Sequence, residues 1–395
     1  MVERRNNRNL EKLVQKLDIT KSMTENAESK YKAVANLLQE KGIDVDIYPQ
    51  GSFAIGTVVR PYTKGKEVDY DLDFICEVSQ EKSSTSPKEI KHSIGDILKN
   101  SGKPMKDEDD TCWTLDYANI QENIGFNLDI VPAVHEEEEM INSLIMQGVP
   151  YTYAKDAVAI TIRRTQEKYD WGYGNAKGYT NWFNQINEPY KNYRKEERKR
   201  LFESNIAPLP DISEKSSLQM VIQILKRHRD VYFYRTNSKY KISSSIITTI
   251  VAQIAKLTAP KGLLELLEFV VNELYAYTRL INEQQQFLEE NPNRLTIKKS
   301  GKEWIIPNPV NPENNLARDW TDETAMYFFK WIEEVKEDLI MSKDYDDEKY
   351  LISLKNGFGE SLVEKSMNDL GINAIKRTPV NVSNTKPYRG NIDEE

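Results

Sequence analysis

One short run of alternating residues constrains this chain more than any other part of its sequence. Between Val68 and Phe74 the residues read VDYDLDF, so Asp69, Asp71 and Asp73 alternate with apolar or aromatic side chains. Because side chains alternate between two faces along a β-strand, the run predicts a strand with one buried face and one face of carboxylates. Carboxylates on one face repel each other, and a positive charge usually neutralises them. The simplest such charge is a divalent metal, since Mg²⁺ prefers carboxylate and phosphate oxygens.

A glycine–serine pair stands before this strand. Gly51 and Ser52 follow Gln50, at the point where a predicted strand over 43–48 passes into a predicted helix. Glycine lets a backbone approach a phosphate closely, and a serine hydroxyl and the free N–H groups of a helix start can donate to that phosphate. Alone the pair predicts only a helix cap. Followed by the carboxylate strand, it predicts a phosphate-binding corner beside a metal site.

A second predicted strand, otherwise apolar, carries a third carboxylate, Asp129. Asp71, Asp73 and Asp129 are therefore the candidate catalytic and metal-binding residues, for two Mg²⁺ ions with Mn²⁺ as the alternative. Two metals can lower the pKa of an attacking hydroxyl and stabilise a leaving pyrophosphate, as phosphoryl and nucleotidyl transfer require. The first strand offers the pair Asp69/Asp71 or the pair Asp71/Asp73. We favour the second, because a buried run follows Asp73 directly, which leaves Asp69 as a flanking charge outside the metal ligands.

Length, charge and cysteine usage exclude several classes of protein. The 395 residues are enough for two domains, and the net charge of -8 argues against a protein that mainly coats nucleic acid. No stretch is apolar enough to predict a membrane helix. Cys76 and Cys112 provide neither a disulfide framework nor a metal-ligand spacing, which predicts a cytoplasmic location.

The pattern of apolar residues predicts two domains and a tail. One long helix is predicted over 1–42, at the start of a catalytic core that ends at 184. A helical domain is predicted over 185–377 and a mobile tail over 378–395. Residues 151–184, rich in aromatic residues, glycine and asparagine, are predicted as a structured loop between the domains. Its aromatic side chains either stack on a nucleobase or pack the domain junction.

Three motifs resemble a known superfamily. GSFAIGT, DYDLDFICEV and FNLDIVPAV, in this order, resemble the polymerase-β-like nucleotidyltransferases. Within that superfamily the chain is similar to the cGAS/DncV-like nucleotidyltransferases (CD-NTases), the bacterial second-messenger synthases of anti-phage CBASS systems. ILKRHRD followed by KISSSIITTIVAQIA resembles the lysine-bearing helix and the serine-led helix of the family's helical domain. The resemblance covers roughly residues 10–345.

The resemblance implies an α+β fold. A polymerase-β-like core, made of a mixed sheet with helices, would be joined to a C-terminal helical domain, with the active site in the cleft between the two lobes. Gly51 and Ser52 would hold the donor triphosphate, and Gln50 beside them is a further candidate nucleotide-binding residue. Asp71 and Asp73 would bind both metals, and Asp129 would complete the site and help to activate the acceptor hydroxyl.

The helical domain would contribute further groups to the donor site. The resemblance implies that Lys226 reaches the donor phosphates and that Ser243 or Ser244 assists from the start of its helix. The alternative interpretation of Lys226 is an ordinary solvated helix end. No role follows for His228, which is interpreted as structural or exposed.

The activity implied is template-independent synthesis of a cyclic di- or trinucleotide from nucleoside triphosphates, with release of pyrophosphate. The partners implied are a downstream CBASS effector and a regulatory protein, with no stable nucleic-acid or membrane binding. Two alternatives stay open. One is nucleotide transfer to RNA, a protein or a small molecule, of which the negative charge disfavours RNA. The other is a nucleotide-binding protein without activity, which the intact carboxylate set disfavours.

Overall fold

The computed structural model describes residues 2–60, 62–63, 65–68, 70–117, 125–203, 215–238, 240, 242–291 and 296–370. The α+β class predicted from the sequence is confirmed, because a mixed sheet with helices is followed by a largely helical half. The tail predicted over 378–395 and the flanking carboxylate Asp69 lie outside the described residues. Within those residues no helix has the length and apolar character needed to cross a membrane.

The strands fall into one large sheet and three short hairpins. They are β1 (Val45–Pro49), β2 (Tyr62–Thr63), β3 (Lys66–Glu67), β4 (Tyr70–Glu81), β5 (Trp113–Tyr117), β6 (Phe126–His135), β7 (Val158–Arg163), β8 (Tyr169–Gly174), β9 (Lys298–Ser300), β10 (Glu303–Ile305), β11 (Pro307–Asn308) and β12 (Asn311–Asn315).

The helices lie at the start of the chain, between the strands of the sheet, and throughout the C-terminal half. They are α1 (Val2–Leu17), α2 (Lys21–Glu40), α3 (Gly51–Ala54), α4 (Pro87–Asn100), α5 (Glu138–Met146), α6 (Tyr151–Ala154), α7 (Ala176–Glu203), α8 (Ser217–Arg235), α9 (Ser244–Ala255), α10 (Leu263–Ala276), α11 (Arg279–Asn282), α12 (Gln284–Glu290), α13 (Asp322–Val335), α14 (Asp347–Phe358) and α15 (Glu360–Leu370).

The large sheet has the order β1-β4-β6-β7-β8, and β5 also pairs with β6. Its central pair, β4 and β6, is parallel, while the other neighbours are antiparallel. The apolar residues that alternate with the carboxylates, Leu72 and Phe74, are buried against α2 and α4. The opposite face of β4 is thereby left to the carboxylates, as the alternation predicts.

A second core joins the helices of the C-terminal half to the start of the chain. Helix α8 lies at its centre, in contact with α1, α7, α9, α10, α13 and α14. Helix α1 belongs to this core, since Leu10, Leu13, Val14 and Leu17 are buried in it, while α2 packs on the sheet. We call α8 and the helices around it the helical lobe.

The single helix predicted over 1–42 is wrong, because the chain breaks between α1 and α2. Thr20 caps α2 by accepting a hydrogen bond at Oγ1 from the Met23 N–H (3.2 Å). The break lets the two helices pack on different cores. The boundary predicted between 184 and 185 falls inside α7, a helix that runs on through Pro189.

The loop predicted over 151–184 is also wrong, since this segment contains α6, β7, β8 and the beginning of α7. Strand β7 reads VAITIR, whose β-branched residues favour a strand. Of the aromatic residues that could face a nucleobase, Trp182 and Phe183 are buried in the helical lobe. Their burial supports packing for these two side chains.

Candidate active site

The parallel register of β4 and β6 brings the predicted carboxylates together. Asp73 lies opposite Asp129, and Asp71 lies opposite Asn127. Two residues on one strand face and two on its neighbour thus form one polar patch. Three of its four members are the aspartates predicted from the sequence.

The glycine–serine corner is bonded to this patch through the backbone. The Gln50 N–H donates to the carbonyl oxygen of Asp73 at 2.9 Å. Gly51 has a φ of +59°, in the left-handed region that favours glycine, and a Cβ at this position would lie 3.5 Å from Asp73 Oδ2. Helix α3 therefore begins in contact with the Asp73 carboxylate, and Ser52 follows one residue further on.

Polar neighbours fix the orientation of two of the three aspartates. Asn127 Nδ2 donates to Asp71 Oδ1 at 2.8 Å, and Lys106 Nζ donates to Asn127 Oδ1 at 2.8 Å. On the other side of the patch, Thr114 Oγ1 donates to Asp129 Oδ1 at 2.6 Å. Within the described part of the chain no group donates a hydrogen bond to the carboxylate of Asp73, the member closest to the corner.

The patch carries more negative charge than its surroundings neutralise. Burial, and then the charges of Asp129 and Asp71, raise the pKa of Asp73 to about 6. Burial also raises the pKa of Asp129, against the opposing effects of the Thr114 hydrogen bond and the charge of Lys106. Both shifts have the direction that burial and the mutual repulsion of carboxylates produce.

The donor chemistry of the patch fits a hard divalent cation, because all of its charged groups are carboxylates. The sequence predicts that the three aspartates converge on the metals. Within the residues that the structure describes, however, no three His, Cys, Asp or Glu side chains form a ready-made metal cluster. The backbone aligns the aspartates in neighbouring positions, while their oxygens are not gathered into a closed cage. The assignment of metal ligands therefore stays a prediction.

Lys226 is not the solvated helix end that its KRHRD context indicates. Its side chain is buried, and its Nζ donates to Thr57 at the carbonyl oxygen (3.2 Å) and at Oγ1 (3.0 Å). Burial, together with the nearby charges of Arg229 and Lys215, lowers the pKa of Lys226 to about 7. The Thr57 N–H in turn donates to the Ser52 carbonyl oxygen at 2.9 Å. Lys226 thus reaches the corner, through Thr57.

The two predicted serines lie at the beginning of α9 and are exposed. Ser243 caps the helix by accepting at Oγ from the Ile246 N–H. Ser244 Oγ accepts from Arg229 Nη1 at 3.0 Å, and Arg229 stands one helical turn beyond Lys226 on α8. A chain of contacts therefore runs from the corner through α8 to the start of α9.

His228, which has no predicted role, is structural. It is buried, its Nε2 is bonded to Asp338 Oδ2 at 3.2 Å, and its Nδ1 accepts from Trp331 Nε1 at 3.1 Å. The second bond requires an unprotonated Nδ1, so the ring is neutral in this arrangement.

Sequence reasoning missed four residues of the site: Asn127, Thr114, Lys106 and Thr57. Asn127 had a usable signal, because it stands two residues before Asp129 and therefore shares its strand face. Thr114 and Lys106 gave no local signal, since only strand pairing and the turn before β5 bring them to the aspartates. Thr57 is assigned to the site only because the structure shows its hydrogen bond with Lys226.

Comparison with known proteins identifies relatives of the chain and of its fold. The family model described as Second Messenger Oligonucleotide or Dinucleotide Synthetase domain matches residues 5–187. The chain is 25% identical over 368 residues to a c-di-GMP synthase of Roseivirga ehrenbergii. This alignment covers 91% of this chain and 85% of that protein.

Two solved structures share the fold. One is the Bradyrhizobium diazoefficiens CD-NTase CdnG in complex with GTP, with a TM-score of 0.65 and 18% identity over 93% of this chain and 99% of that chain. The other is E. coli MS115-1 CdnC in its CdnC:HORMA-deltaN complex, with a TM-score of 0.55 and 12% identity over 87% of this chain and 94% of that chain.

The mixed sheet, with aspartates on its central strand pair beside a glycine–serine corner, has the architecture expected of a polymerase-β-like nucleotidyltransferase core. Residues 5–187 match a second-messenger synthetase domain, and the chain shares the fold of the CD-NTases, which its motifs resemble; it is a nucleotidyltransferase.

Proposed function

We propose that this enzyme joins two nucleoside triphosphates into a cyclic dinucleotide and releases pyrophosphate at each of the two steps. The observation that carries the proposal is the pairing of Asp73 with Asp129 beside Gly51, in a chain of this family. GTP is the first substrate to test, because the Roseivirga relative is named a c-di-GMP synthase and CdnG was solved with GTP.

In each step a ribose hydroxyl oxygen attacks the α-phosphorus of the donor. The bond to the β-phosphate breaks and pyrophosphate leaves. Asp71, Asp73 and Asp129 would hold Mg²⁺, which when bound lowers the pKa of the attacking hydroxyl and stabilises the leaving group. Asp129, bonded to Thr114, would orient the acceptor hydroxyl and take up its proton.

The corner and the helical lobe would bind the donor. The backbone at Gly51 and the Ser52 hydroxyl would contact the triphosphate, with Gln50 fixing the corner to β4. Lys226 would add positive charge from behind Thr57, and Ser243 or Ser244 would contribute from the start of α9. Because transfer of this kind depends mainly on positioning and charge, these contacts suffice without a covalent intermediate on the protein.

We further propose that the product activates a CBASS effector in anti-phage signalling. A regulatory partner protein is part of the proposal, because CdnC was solved in a complex named CdnC:HORMA-deltaN.

The test is incubation of the purified protein with the four labelled ribonucleoside triphosphates and Mg²⁺, followed by phosphatase and mass spectrometry. A phosphatase-resistant product with the mass of a cyclic dinucleotide is expected. Label found only in RNA or protein, or no consumption of triphosphate, would contradict the proposal.

A further inference from the structure

Four polar side chains on one face of α8 line up beside the loop that follows the glycine–serine corner. They are Gln219, Gln223, Lys226 and Arg227, which we call the α8 rail. Their spacing of four, seven and eight residues from the first member places them on one side of a helix. All four are buried.

Each member of the rail donates to an oxygen of loop 55–60. The pairs are Gln219 Nε2 to Ile55 O (2.8 Å), Gln223 Nε2 to Val58 O (2.6 Å), Lys226 Nζ to Thr57 O (3.2 Å) and Arg227 Nη1 to Arg60 O (3.3 Å). Residues 55–60 belong to no strand or helix. The rail therefore satisfies the backbone carbonyl groups of the loop, as a neighbouring strand does in a sheet.

The loop is connected to the corner at short range. The Thr57 N–H donates to Ser52 O, and the Gly56 N–H donates to Phe53 O at 3.3 Å. A Cβ at Gly56 would lie 2.6 Å from Gln219 Nε2, so the loop and the rail are in close contact. A shift of the rail would move Ser52 with it.

We propose that Gln219 and Gln223 are positioning residues for the triphosphate site at Gly51 and Ser52, holding that corner against the helical lobe. The inference rests on the proposed function of the corner. Lys226 and Arg227 carry charges that a triphosphate attracts directly. The two neutral glutamines therefore separate positioning from charge.

Gln219 allows a variant that changes one contact. Its Oε1 accepts from the Ser216 N–H at 3.0 Å and completes the capping box of α8, while its Nε2 donates to Ile55. Glutamate serves equally well in a capping box but has no donor for Ile55. Gln219→Glu thus keeps the cap of the helix and removes the contact with the loop, and Gln219→Met, which adds no negative charge, is measured beside it to separate loss of the contact from charge repulsion.

The matched control is Gln253→Glu, the same chemical change on α9, at a half-buried residue outside the rail. The probe for binding is a nucleoside triphosphate with a methylene group between its α- and β-phosphates, which cannot react. We expect Gln219→Glu to raise its Kd about tenfold, as loss of one buried hydrogen bond predicts. The limiting rate at saturating triphosphate should fall less than kcat/KM, and Gln253→Glu should match wild type.

Amide hydrogen exchange gives a readout that does not depend on activity. In Gln219→Glu the Ala54, Gly56 and Thr57 amides should exchange about tenfold faster, with β4 and β6 unchanged. Mn²⁺ binding, followed by electron paramagnetic resonance, should stay as in wild type. Gln219→Met adds no charge and provides the second variant if Gln219→Glu does not fold.

The proposal is overturned if both Gln219 variants keep the wild-type Kd and the wild-type exchange at the corner, or if Gln253→Glu shows the same losses. Failure of the proposed function is a different result, in which wild type itself binds no triphosphate and forms no product. Faster exchange confined to the corner would then still support the positioning role of the rail.

Discussion

Two clusters of opposite charge, an acidic wall on the sheet and a basic wall on α8, differ in how far the protein neutralises their charges. The acidic wall is Asp71, Asp73 and Asp129 on the sheet, where burial and mutual repulsion raise the pKa of Asp73 to about 6. The basic wall is Lys226, Arg227 and Arg229 on α8, where every cation is buried and bonded to protein oxygens.

This difference indicates which of the two clusters is expected to bind a cation. In the basic wall Arg229 pairs with Asp230 at 2.7 Å, whereas Lys226 is bonded to neutral oxygens of Thr57 and burial lowers its pKa to about 7. Among the described residues no ion pair neutralises the acidic wall, so we expect its free energy to improve when a divalent cation binds. We therefore expect the sheet to bind the metal and α8 to position the nucleotide.

The largest effect should come from neutralising the acidic wall. Asp71→Asn with Asp73→Asn removes the charges proposed to hold Mg²⁺, and we expect turnover to fall more than about a thousandfold. Product formation by mass spectrometry, with circular dichroism to confirm the fold, measures it. Retention of wild-type turnover would sink the metal assignment.

The second effect concerns stability and pH. The Asp73 carboxyl titrates near 3.8 when unfolded and at about 6 when folded. Between these values the folded protein binds more protons, so the wild type loses stability as pH rises from about 4 to 6. In metal-free buffer, Asp73→Asn should therefore be more stable than wild type by up to about 3 kcal/mol at pH 8.

At pH 5 that gain should be roughly half as large, because the wild-type carboxyl is then mostly protonated only in the folded state. Urea unfolding at the two pH values measures both numbers. Equal stability of the two proteins at pH 8 would show that the acidic wall is already neutralised without metal.

The third effect should come from the basic wall. Lys226→Met keeps the length of the side chain and removes its bonds to Thr57, so we expect kcat/KM to fall about thirtyfold. Since the pKa of Lys226 is about 7, its charge is present below that pH and lost above it. The ratio of wild-type to variant kcat/KM should be largest near pH 6 and should shrink toward pH 9. A ratio independent of pH would mean that Lys226 acts without its charge.

The smallest effect should come from Asn127→Ala, which removes the donor to Asp71 and the acceptor for Lys106. Residues that orient metal ligands typically contribute about tenfold to metal affinity. We therefore expect the Mg²⁺ concentration at half-maximal activity to rise about tenfold. Asn36→Ala, on the exposed face of α2, is the control. An unchanged Mg²⁺ requirement would remove Asn127 from the site.

The sequence predicts the acidic wall better than the basic wall, and the physical reason is local. A strand alternates with period two, so the positions of Asp71 and Asp73 on one face follow from their spacing. The pairing of Asp73 with Asp129 depends on the register of β4 against β6, which no local pattern contains.

Burial of Lys226 could not be predicted, because α8 is surrounded by helices and has no solvent face over 217–233. Such a helix lacks the amphipathic stripe from which burial is normally inferred. Its charged KRHRD run is typical of an exposed end, yet here its side chains are bonded to Thr57, Phe358, Trp331 and Ser244. Only the tertiary arrangement decides between the two.

The placement of α1 has a consequence for how the molecule is made. Its residues Leu10, Leu13, Val14 and Leu17 are synthesised long before Leu362 and Val363 of α15, which lie in the same core. Contacts of such long sequence separation form late. During translation α1 can pack against α8 and α10 first, and α15 adds its contacts with α1 only after it emerges.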